Sequence, residues 1–119
     1  MKKYINSILV DGVEVVNLTP HAINVFGEDG VEKYVIQPEN GLVPRCAQEN
    51  KIVSTVGGVP IYQCVFGEVE NLPEETQGVI LVVSRMVVSA AADRGDLVSP
   101  GPMVRGEDGR PKGCIGFSR

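Results

Sequence analysis

The chain has 119 residues, 43% of them hydrophobic and 22% charged, with a net charge of -4. That is the length of one domain and enough apolar residue for a core, which excludes a disordered chain. A pI near 4.9 excludes the basic stripe of a general nucleic-acid binder, but not a small anion held by a few converging arginines.

Met1-Lys2-Lys3 is basic, yet the apolar stretch Ile8-Leu9-Val10 ends at Asp11. A secretory signal needs ~7–15 apolar residues there, and a membrane-spanning helix ~20. A cytoplasmic location and no membrane partner are the resulting expectations. Val13 to Leu18 and Ala22 to Phe26 are β-prone runs interrupted by Thr19-Pro20-His21. Gly27-Glu28-Asp29-Gly30 then supplies a turn before Val31 to Gln37, a hairpin signal. Pro38 to Pro44 reads as a loop with its tight turn at Asn40-Gly41.

Ile52 to Val56, Gly57-Gly58 and Val59 to Val65 form the cleanest hairpin, two glycines supplying the positive φ angles of a two-residue turn. Pro60 belongs at a strand start or on an edge. Leu72 to Gly78 is a polar connection. Val79 to Val83 is continuously apolar, as in a central strand buried on both faces. Ser84 can cap a short helix from about Arg85 to Arg94-Gly95, with Met86, Val87, Ala90 and Ala91 on one face. Pro100 to Pro102 is a loop, followed by a hairpin from Met103-Val104-Arg105 through Asp108-Gly109 to Lys112–Phe117. The expected fold class is α+β: one domain over 1–119, mainly antiparallel β, as a curled sheet or small barrel carrying one short helix.

Two polar concentrations stand out. Asn17-Leu18-Thr19-Pro20-His21 holds the only histidine, a group that titrates near neutral pH and can bind or shuttle a proton. Pro20 biases Thr19 towards extended backbone, which puts Asn17, Thr19 and His21 on one face. The same residue types at a strand end also satisfy turn backbone groups. The second concentration is Arg94-Gly95-Asp96 with Arg105. Arg94 and Asp96 are spaced for a local ion pair, while Arg105 on a strand needs a partner if it points inward. Arg85 lies in a first helical turn, where a cation opposes the helix dipole unless an anion is near. Arginines that converge recognise phosphate or carboxylate in a bidentate way.

Cys46, Cys64 and Cys114 are widely spaced. Three cysteines and His21 reach the ligand count of a zinc site but lack its short-range pairs, so free thiols and no metal are expected. No phosphate loop, dinucleotide fingerprint or zinc-protease helix motif is present. Ser84 follows a strand and precedes a helix but lacks the glycines of a nucleophile elbow.

The ordered string Asn17-Leu18-Thr19-Pro20-His21, Arg45, Phe66-Gly67-Glu68-Val69, Leu72-Pro73, Val82-Val83-Ser84, Arg94-Gly95-Asp96-Leu97, Pro100-Gly101, Arg105, Gly109 and Gly113 resembles a group of small proteins encoded by phages, prophages and bacteria. The likeness runs from about residue 16 to the end. It implies a viral or mobile-element setting. Small phage proteins of this kind include inhibitors of bacterial immunity, some of which bind nucleotide signalling molecules and so prevent effector activation. The resulting expectation is a homo-oligomer that holds a small anionic, nucleotide-derived ligand, without a cofactor. Arg85, Arg94 and Arg105 would carry the charge, Thr19 and His21 the directional hydrogen bonds, and Asn17, Arg45 and Asp96 the rest of the site. The alternatives are a nucleotide hydrolase or phosphodiesterase using His21, and a virion, assembly or other interaction protein.

Overall fold

A computed structural model describes residues 4–39, 41 and 43–119. Among the described residues eleven strands and one helix follow one another: β1 (Ile8–Val10), β2 (Val13–Asn17), β3 (Ile23–Phe26), β4 (Glu32–Ile36), β5 (Arg45–Val56), β6 (Val59–Glu70), β7 (Val79–Val82), α1 (Arg85–Ala90), β8 (Leu97–Pro100), β9 (Met103–Arg105), β10 (Pro111–Ile115) and β11 (Phe117–Ser118). They form a five-stranded sheet in the order β1-β2-β7-β8-β11, a four-stranded sheet β4-β3-β10-β9, and a separate ribbon β5-β6.

The β-rich class with one short helix is as expected. The barrel is not: each sheet keeps two free edges, β1 and β11 in one, β4 and β9 in the other. β7 runs parallel to both β2 and β8, and β3 parallel to β10, within a set of otherwise antiparallel pairs. Parallel neighbours need long crossovers, and the chain supplies them: the β3–β6 excursion separates β2 from β7, and α1 separates β7 from β8. The proposed turn at Asn40-Gly41 involves Asn40, which lies outside the described residues.

Alternation along the strands makes two aliphatic cores. Val15, Val82 and Val98 from the larger sheet meet Ile23, Val25, Ile36 and Cys114 from the smaller one. On the other side of the larger sheet, Val16, Leu81 and Leu97 pack beneath Val87 and Ala91 of the helical segment. β7 is therefore covered on both faces, as its unbroken apolar run requires.

Ser84 caps α1: its Oγ accepts a hydrogen bond from Val87 N–H at 3.3 Å. The helix stops at Ala90, short of Arg94-Gly95. Its buried face is narrower than the expected set. Val87 and Ala91 are buried, whereas Ala90 is exposed and Met86 turns sideways to accept a 2.9 Å contact from Gln48 Nε2 of β5.

The β5-β6 ribbon is longer than the hairpin read from Ile52 to Val65, reaching back to Arg45 and on to Glu70. Its root touches α1, and Val69 packs on the helix-side core. The rest stands away from the body. The radius of gyration is 17.3 Å and the longest extent 56 Å, against ~13–14 Å for a compact domain of this length.

Candidate ligand site

The bend at residues 17–21 is built around Asn17, which is wholly buried. Its Nδ2 donates to the carbonyls of His21 at 2.7 Å and Ile36 at 2.9 Å. Its Oδ1 accepts from the N–H of Thr19 at 2.9 Å and the Thr19 hydroxyl at 2.6 Å. Asn17 O receives Glu39 N–H at 3.0 Å, and Leu18 N–H donates to Val82 O at 2.9 Å. One amide thus joins the ends of β2 and β4 to the bend that leads into β3. Every polar position of the Asn17 side chain is occupied, so the group acts as a latch and is closed to a ligand. Thr19 spends its hydroxyl on the same latch, and His21 is exposed.

Arg94 and Asp96 form a fork. Arg94 Nε donates to Asp96 Oδ1 at 2.8 Å and Nη2 to Oδ2 at 2.7 Å, while Nη2 also reaches Pro73 O at 2.9 Å. The side chains are 19% and 5% exposed. The hydrogen bonds from Arg94 hold the Asp96 carboxyl below the ordinary aspartate range, against burial, which pushes it up. The same pairing raises Arg94. This fork pins the connection after the ribbon to the segment between α1 and β8. Arg105 is exposed and donates from Nη1 to Gly109 O at 2.8 Å, bracing the β9-β10 turn.

Arg45 and Arg85 are different. Both are exposed, and among the described residues neither side chain makes a hydrogen bond or an ion pair, although the ladder sets Glu70 opposite Arg45. Arg45 opens β5 and Arg85 opens α1, the two elements joined by the Gln48–Met86 contact.

Four cavities are lined by described residues. One of about 320 Å³, between β3, the β8–β9 link and β10, is lined by Ala22, Asn24, Pro100, Gly101, Lys112 and Cys114 among others. An apolar one of about 340 Å³ opens between Ile8, Val10, Val25, Tyr34, Ile80 and Phe117. Asp96 borders a third and Arg94 a fourth, the latter of about 280 Å³ shared with Arg119. None of these four is lined by more than one of Asn17, Thr19, His21, Arg45, Arg85, Arg94, Asp96 and Arg105. Within one chain, the eight residues do not share any of these cavities.

The cavity beside β10 contains groups that sequence reasoning passed over. Lys112 Nζ lies 5.2 Å from the centre of the Phe26 ring, and Asn24 Nδ2 donates to Glu32 at 2.6 Å. The nearest signal was the run Lys112-Gly113-Cys114. A Cβ on Gly113 would meet Asn24 O at 2.4 Å and the Phe26 ring at 2.6 Å, so only glycine lets β10 lie this close to β3. Among the described residues no three His, Cys, Asp or Glu side chains cluster as a metal site. The cysteines are free: Cys64 exposed, Cys46 half-buried, Cys114 buried with its thiol pKa pushed up by desolvation. No helix of the described residues is long and apolar enough to cross a membrane. Comparison with protein-family models, with curated proteins and with solved structures gives no significant match.

Proposed function

We propose that the protein is a binding protein that sequesters a small anionic, nucleotide-derived signalling molecule and works as a homo-oligomer. Encoded by a phage, it would act in the host cytoplasm, keeping the molecule from the effectors of antiviral defence. The observation that carries this reading is the placement of Arg45 and Arg85. They lie 40 positions apart in sequence, open two elements in contact at the ribbon root, and carry exposed guanidinium groups that form no ion pair among the described residues. In a chain of net charge -4, arginines free of ion pairs on two touching elements favour an anion, bound by paired N–H donors. Arg94 and Asp96 belong to the scaffold in this reading, and a second subunit completes the site.

Sequestration needs tight binding of the ground state, whereas an enzyme must favour the transition state. Protein purified from cells with active nucleotide signalling is heated, and the released small molecules are identified by mass spectrometry. An intact anionic nucleotide lost in the Arg45→Ala/Arg85→Ala variant is the expected result. A chemically altered product would favour the hydrolase using His21. A thermal-shift screen flat across nucleotides, with no released ligand, would refute binding and favour the interaction protein. A ligand at a hundred times its Kd stabilises the fold by ~2.7 kcal/mol, or about 10 °C for a domain of this size.

A further inference from the structure

From the apolar cavity between the two sheets we infer a further binding site, one that takes a small apolar molecule with a cationic ammonium end. The cavity holds about 340 Å³, and neither Arg45 nor Arg85 lines it. Its floor is core: Val15, Val25 and Ile36 are 5%, 5% and 1% exposed and come from β2, β3 and β4. Ile8 and Ile80, only partly buried, form walls on the larger sheet. Tyr34 and Phe117, 42% and 37% exposed, stand at the mouth. The opening follows from the sequence. Packed sheets lie ~10 Å apart, and at this end of the layer the floor is valine and isoleucine, with no aromatic ring to span the gap.

Two arguments fix the class of ligand. Nine of the ten lining residues are aliphatic or aromatic, so water finds few hydrogen-bond partners inside. An apolar cavity of ~150 Å³ stays dry and takes benzene, and about twice that volume suits a two-ring aromatic body. The tenth residue is Asp11, the one charged group on the lining. It is exposed, and its carboxylate makes no hydrogen bond or ion pair among the described residues. Asp11 and Gly12 form the two-residue β1–β2 turn, at φ 49° and 81°, with Val10 paired to Val13. Such a turn has a defined backbone, which fixes where the acid sits on the rim. A carboxylate and two aromatic rings bordering one mouth attract an ammonium by charge and by the ring faces. A phosphate entering there would meet Asp11 and no basic residue, so the nucleotide of the proposed function does not fit this cavity.

The probes are naphthylmethylammonium, the neutral naphthalenemethanol and the anion naphthoate, read by fluorescence titration of the full chain. The ammonium is expected to bind about fivefold tighter than the alcohol, the scale of an exposed ion pair, and naphthoate most weakly. Asp11→Asn keeps a residue suited to the turn. It is expected to bring the ammonium down to the affinity of the alcohol, whose own affinity stays unchanged. Ile8→Trp, filling the cavity from the edge strand β1, is expected to abolish binding of all three with unchanged circular dichroism. If Ile8→Trp fails to fold, the Asp11→Asn comparison decides alone. Equal affinity for the three probes, a preference for the ammonium that survives Asp11→Asn, or binding that survives a folded Ile8→Trp would overturn the inference. So would the absence of probe binding, including the case in which light scattering shows a second copy closing the cavity. Arg45→Ala/Arg85→Ala is expected to bind the ammonium as the wild type does. Loss of nucleotide binding there leaves this site standing, and a failed probe titration leaves the nucleotide reading standing.

Discussion

Arg94→Met tests whether the Arg94–Asp96 fork is scaffold. The substitution keeps much of the stem volume but removes two charge-assisted hydrogen bonds and the donor to Pro73 O. It leaves a carboxylate 5% exposed with no hydrogen-bonded cation. Breaking a buried pair from one side costs ~3–5 kcal/mol. Because Arg94 is 19% exposed and water can reach part of the site, we expect the lower end, about 3 kcal/mol at neutral pH. At ~2.1 cal/mol/K per residue for the unfolding entropy, that lowers Tm by roughly 12 °C. Replacing both partners, as in Arg94→Met/Asp96→Leu, should recover much of the loss, since no charge is then stranded.

The pH dependence fixes the sign. In the wild type the Asp96 carboxyl lies below its ordinary value of 3.8, so the stability it contributes is present above that value and is lost as pH falls through the lowered one. In Arg94→Met the fork is gone and burial, which raises the same group, becomes the largest influence left, ahead of its own backbone N–H and Arg119. The variant therefore regains stability on acidification from neutrality, while the wild type does not. The gap between them, read by urea unfolding at pH 7 and pH 4, must narrow. A gap that is constant with pH, or smaller than ~0.5 kcal/mol at pH 7, would refute the account.

The latch gives a second test: Asn17→Ala strips the carbonyl of Ile36 and the N–H of Thr19 of their side-chain partner and leaves His21 O the Thr19 hydroxyl alone, and should cost about 2–3 kcal/mol by denaturant midpoint. Gly101→Ala would place a Cβ 2.1 Å from Ile115 O and 2.9 Å from Gly116 O, so it should cost ~3 kcal/mol or more, or prevent folding. Gly95→Ala, with nothing within 4 Å of the new Cβ, is the tolerated control in the same thermal melt. In a thiol titration at neutral pH, Cys64 should react first and Cys114 only on unfolding, because its thiol is buried and its pKa raised.

Local chemistry was legible where one residue type had one job. Gly57-Gly58 turns the ribbon, Ser84 caps the helix, and the Val79–Val82 run is a central strand because no polar residue interrupts it. β8 was hidden: Leu97–Pro100 is four residues, bounded by an ion-pair motif and a proline, with no alternation to read. The root of the ribbon was hidden too. Cys46-Ala47-Gln48-Glu49-Asn50 lacks β-branched residues and is held as strand by its ladder partner rather than by propensity. For the site, spacing predicted the Arg94–Asp96 pair. No local pattern could show that Asn17 is spent on Ile36 O, nineteen residues away.

The body of this molecule leaves little polar chemistry unspent: among the described residues no buried side-chain polar atom lacks a partner. Recognition then falls to exposed groups, Arg45 and Arg85 at the ribbon root. Were the anion held between subunits, ligand and assembly would be linked, and each would strengthen the other by the same factor. A tenfold tighter dimer in the presence of ligand would then accompany tenfold tighter ligand binding in the dimer, a coupling of about 1.4 kcal/mol. Were each subunit to carry a complete site, ligand affinity would not change as the protein is diluted. Titrating ligand over a range of protein concentrations separates the two arrangements, and constant affinity would place the anion on a single chain.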